Sequence, residues 1–80
     1  MARKAIDIVS EAKRKLDKER QSSGFRPTPF FYANLACTLC DPHEYNGNNK
    51  SDWIKRIAGA AALLLVEIET IQSIKGDGIL

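Results

Sequence analysis

Eighty residues with twelve basic and ten acidic side chains, formal charge +2, make one domain (1–80) whose charge is too balanced to select a partner. Two cysteines are too few for a disulfide scaffold, and no apolar run reaches the ~20 residues that a membrane-spanning helix needs. A domain this small buries only about 60% of its unfolded surface, so outside support is expected, and oligomerisation suits the pattern described below.

Met1-Ala2-Arg3-Lys4 is followed by Asp7, Glu11 and a run of charges, not by the apolar core of a secretory leader. A cytoplasmic protein with reduced thiols is therefore expected. The first helix is predicted over residues 2–21, with Ala5, Ile8, Val9, Ala12 and Leu16 as its single apolar stripe. Pairs at four-residue spacing support it: Arg3 with Asp7, Glu11 with Lys15, Lys13 with Asp17. Ser22-Ser23-Gly24 should end it. Lys13, Arg14, Lys15, Lys18 and Arg20 are interleaved with acids and have no aromatic neighbour, so they read as a solvated face and not as a nucleic-acid contact.

Pro27 and Pro29 force an extended connector, and Thr28 with Pro29 is the expected start of a second helix over residues 29–40. Only Asn34 and Thr38 are polar in the body of that helix, so it should be buried on most sides. Cys37 and Cys40 then read as core packing. The alternative is a metal site in which Cys37 and Cys40 join His43 and Asp41 or Glu44; a redox role has less support, since no strand precedes the pair. Residues 41–49 are turn chemistry, with Asn46-Gly47 its strongest signal.

The third helix is predicted over residues 51–75, capped by Asn49 or Ser51 and closed by Gly76. Ile54, Ile57, Ala61, Leu64, Ile68 and Ile71 recur at steps of three and four along one stripe. Leu63 and Val66 make a second apolar face. A helix apolar on so many sides must be covered from several directions, and one short chain offers too few helices. The predicted fold is therefore all-α: a three-helix protomer that forms a helical bundle by homo-oligomerisation. Gly59, Ala60, Ala61 and Ala62 would let third helices approach closely.

Arg26, Lys55 and Arg56 fall beside Phe25, Tyr32 and Trp53 at the predicted ends of the second and third helices, a combination suited to stacking and phosphate binding. The alternative is that Phe25 and Trp53 plug the end of the bundle. Glu67 and Glu69 point about 200° apart on a helix, so only one can face a given site. One should meet solvent. The other should pair with the first helix or enter a ligand site.

The stretches Ala5-Ile6 with Val9 and Glu11, Glu19-Arg20-Gln21 leading to Gly24-Phe25, and Ala60 through Glu69 resemble small phage and prophage proteins akin to the MazG-like nucleotide pyrophosphohydrolases. Those enzymes bind magnesium through two acidic ExxE/D pairs, and this sequence has none in or near its second helix. The resemblance thus implies a helical oligomer that binds a nucleotide-like or other small ligand without hydrolysing it, with no cofactor and no catalytic residue. The candidate ligand residues are Phe25, Arg26, Tyr32, Trp53, Arg56 and Glu67. Two other readings stand beside it: an interaction module such as a phage inhibitor of a host defence protein, and a magnesium-dependent pyrophosphohydrolase using Glu11, Glu67 and Glu69.

Overall fold

The computed structural model describes residues 3–24, 26–41 and 49–74. These form three helices, α1 (Ala5–Ser23), α2 (Phe31–Cys40) and α3 (Lys50–Gln72), with no strand among the described residues. None of the helices is long and apolar enough to cross a membrane. The expected Asn46-Gly47 turn, Phe25, His43, Lys75 and Gly76 lie outside the described residues.

Each boundary has a local cause. α1 starts at Ala5, three residues later than expected, after Lys4 in extended backbone. It ends where Gly24 turns left-handed at φ 66°, while Ser22 and Ser23 return hydroxyl hydrogen bonds to the carbonyls of Glu19 and Arg20. α2 does not begin at Thr28–Pro29. Those residues form a turn in which the Phe31 N–H donates to the Thr28 carbonyl, and Phe30 becomes the N-cap at φ 69°. Pro29 followed by a left-handed residue is the backbone of a type II turn, and that turn displaces the expected cap. α3 opens on Asn49, whose side-chain oxygen accepts from the Asp52 N–H at 2.9 Å, as the sequence led us to expect. It stops at Gln72 because the Ser73 N–H and hydroxyl tie back to the last turn.

The packing is centred on α3. α1 and α2 both lie along it and touch each other little. α1 runs parallel to α3: Ala5 and Ile8 sit by Ile54 and Ala58, and Arg20 sits by Glu69. α2 runs antiparallel. The core is Tyr32 and Ala36 of α2 against Ala60, Leu63 and Val66 of α3, with Leu16, Phe31 and Leu39 at its edge. Small residues make this possible. Ala58, Ala60 and Ala62 are buried, and the α-carbon of Gly59 lies so close to Leu39 that an added methyl would meet Leu39 Cδ1 at 3.4 Å. Three of the four small residues assigned to contacts between subunits therefore work inside the protomer, and only Ala61 lies on the uncovered side.

α1 docks lightly. Its Ile8, Val9, Ala12 and Leu16 are half-buried, and none of its residues is fully buried. Ion pairs add to this hold: Lys13 Nζ meets Asp17 at 2.8 Å and Glu69 at 2.7 Å, and Arg20 meets the same two acids. Arg3 reaches along the helix to Glu11.

Candidate functional site

Two sides of α3 are taken by α1 and α2. The third carries the stripe read from the sequence, and it is open. Ile54, Ile57, Leu64, Ile68 and Ile71 are each between 43% and 57% exposed, with Ala61 half-buried between them. No member of the stripe is charged. The flanking residues Trp53 and Leu65 are also exposed. A contiguous patch of five large aliphatic side chains is more than the scattered apolar exposure of an ordinary surface.

The N-terminal half of this face borders a cleft of about 440 Å³ between α1 and α3. Ala5, Ile8 and Val9 form one wall, Trp53, Ile54, Ile57 and Ala58 the other, and Arg3 lies at the rim. The C-terminal half carries Leu64, Ile68 and Ile71 as projecting side chains.

The residues nominated for ligand binding are dispersed. Arg56, half-buried, donates from Nε to the Leu39 carbonyl at 2.7 Å and from Nη2 to the Thr38 carbonyl at 3.4 Å, at the C-terminal end of α2. Glu67 is buried at the other end of α2, where its Oε1 accepts from the Ala33 N–H at 3.0 Å. Its Oε2 has no hydrogen-bond partner among the described residues. Tyr32 is buried beside Phe31, edge-on at 5.2 Å, with the Arg20 guanidinium 5.7 Å from its ring centre. Arg26 lines a hollow of mixed polarity with Arg20, Pro27, Glu69 and Thr70. Trp53 belongs to the apolar cleft at the opposite end of α3. Tyr32 and Glu67 meet around the start of α2, but Arg56 and Trp53 do not join them.

The acids are separated as well. Glu69 faces α1, held by Lys13 and Arg20, and Glu11 is held by Arg3. Among the described residues no three His, Cys, Asp or Glu side chains gather where a metal ion could sit. The expectation of buried cysteines fails: Cys37 and Cys40 are exposed. Tyr32, Ala36 and Leu39, with Phe31 beside them, face the core, while Asn34, Leu35, Cys37, Thr38 and Cys40 are exposed, so the helix is covered on one side and not on most sides.

Charge shifts follow these contacts. The Lys13 ammonium, hydrogen-bonded to Asp17, holds that carboxyl below its ordinary value, with Arg20 adding to the effect. Asp17 and then Glu69 hold Lys13 above its own. Arg3 lowers Glu11 in the same way. These are structural pairs on the α1 side, although Arg3 also stands at the rim of the apolar cleft.

No protein-family model matches the sequence, and no curated protein or solved structure matches it at a significant level.

Proposed function

We propose that this protein is a small helical interaction module that works by pairing the open face of α3 with another helical surface, and that a second copy of the chain is its first partner. One observation carries the reading. The face running from Ile54 to Ile71 is apolar, uncharged and half-exposed, while Arg56 and Glu67 of α3 hold α2 and Glu69 holds α1. A nucleotide-like ligand would need its arginine and aromatic groups at one place, and the candidates Arg56 and Trp53 lie toward the start of α3, away from Tyr32 and Arg26.

The size is suitable. The stripe and its flanks offer on the order of 600 Å² of apolar side chain, close to the ~800 Å² per partner of a standard interface.

Sedimentation velocity tests this. The expected result is a species of twice the 8.9 kDa chain mass at micromolar concentration. Leu64→Glu should return it to a monomer with its helix content intact, because Leu64 is exposed in the protomer. A folded wild-type monomer at those concentrations would overturn the self-association reading.

A further inference from the structure

The stripe also has a direction. Resting on the self-association reading above, we infer that two copies pair through α3 in antiparallel fashion, with Ile54 against Ile71 of the second copy, Ile57 against Ile68 of the second copy, and Ala61 against Leu64 of the second copy.

Three observations lead there. First, the spacing of Ile54, Ile57, Ala61, Leu64, Ile68 and Ile71 is three, four, three, four, three, and it reads the same from either end. This is the alternation of a two-helix seam, in which side chains of one helix fit between those of the other. Because the pattern is symmetric about its centre, an antiparallel partner brings every member of the stripe into register at once. A two-fold interface demands that reciprocity: if Ile57 meets Ile68 of the second copy, then Ile68 meets Ile57 of the second copy.

Second, the two halves of the face differ in shape. The N-terminal half opens into the cleft walled by Ala5, Ile8, Val9, Trp53, Ile54 and Ile57. The C-terminal half projects Leu64, Ile68 and Ile71. Antiparallel pairing lays the projecting half of each copy along the cleft of the other, twice over. Parallel pairing sets cleft against cleft and leaves both unfilled, which a packed interface does not tolerate.

Third, the centre is small. Ala61 lies on the open face between Ile57 and Leu64 and allows the helices to approach where they cross. Antiparallel helices also align their dipoles favourably.

Disulfide trapping decides the orientation. The background is Cys37→Ser with Cys40→Ser, both positions being exposed. Ile57→Cys and Ile68→Cys are made separately on it, then oxidised alone and mixed. The inference expects the mixture to give covalent dimers joining the two variants at least tenfold more efficiently than either variant alone. Ile54→Cys with Ile71→Cys should repeat the pattern. Efficient trapping of each variant with itself would overturn the antiparallel register while leaving self-association standing. A dimer by sedimentation that traps in neither combination would place the contact off this face and overturn the inference too. A wild-type monomer would remove the reading beneath it.

Discussion

Arg56 and Glu67 stand eleven residues apart on α3 and hold opposite ends of α2. Eleven residues are three helical turns, so both project from one side, about 16 Å apart along the axis. That span matches the ten residues of α2. The carboxylate sits where the amides of α2 are unpaired and the helix end is positive. The guanidinium sits where carbonyls are unpaired and the end is negative. α2 has no side-chain cap of its own at its N-terminus, so α3 supplies one. Glu67→Ala should therefore destabilise the fold by about 1–2 kcal/mol, since it removes a hydrogen bond to a carboxylate and leaves the half-buried Ala33 N–H without its partner. Glu67→Gln keeps an acceptor and should stay within ~1 kcal/mol of wild type. Urea denaturation measures both. Equal losses from the two variants would show that the hydrogen bond is not what matters.

Gly59 gives a test of the same helix contact. Glycine within a helix costs about 0.5–1 kcal/mol relative to alanine. An added methyl would meet only Leu39 Cδ1, at 3.4 Å, the movable end of a side chain. Gly59→Ala should stabilise by about that amount. A loss of stability would mean α2 and α3 cannot separate even slightly.

Phe30 takes a left-handed backbone that glycine adopts freely, and its ring is 63% exposed. Phe30→Gly should relieve about 1 kcal/mol of strain while removing little packing. That corresponds to a rise of ~4–8 °C in Tm for a chain of this length. An unchanged or lower Tm would show that the exposed ring stabilises the fold by more than its backbone strain costs.

The Lys13 cluster should give stability a dependence on pH at both extremes. Asp17 and Glu11 have depressed pKa values in the folded state, below their ordinary 3.8 and 4.5. Their contribution is complete above those values and is lost as pH falls through the depressed ones. Lys13 is raised above 10.5, so its contribution is present below that value and is lost as pH climbs through the raised one. Thermal melts across pH should fall off at both ends, less so in high salt, because the pairs are near the surface. Lys13→Met should remove the alkaline fall and soften the acid one. An unaltered alkaline limb in that variant would place its cause elsewhere.

The helices were legible because their signals are local: the apolar stripe of α1, Gly24 after two serines, and Asn49 before Asp52. The start of α2 was missed because the turn chemistry of Pro29-Phe30 outweighed the capping preference of Thr28. The apolar faces of α3 were legible too, but not which of them the chain itself would cover. Periodicity shows that Ile54 through Ile71 share a side. It does not say that α1 and α2 settle on the other two sides, where alanine and Gly59 permit close approach. The pairing of Arg56 with α2's carbonyls was hidden because arginine near aromatics suggests a ligand before it suggests a helix end.

Cys37 and Cys40 test the account of α2 directly. Their burial was expected from the composition of the helix, yet burial is decided by how many neighbours a helix has. α2 packs on α3 mainly through the row Tyr32, Ala36 and Leu39, and α1 touches α2 only lightly, near Tyr32. Cys37 and Cys40 lie off that row and both are exposed. A thiol reagent should therefore label both cysteines in the native protein without denaturant, within about tenfold of the rate for a free thiol, since access is a main control on reactivity. Pairing through the open face of α3 should leave that rate unchanged across protein concentration. Labelling that slows as concentration rises would instead put α2's outer side into the contact between copies.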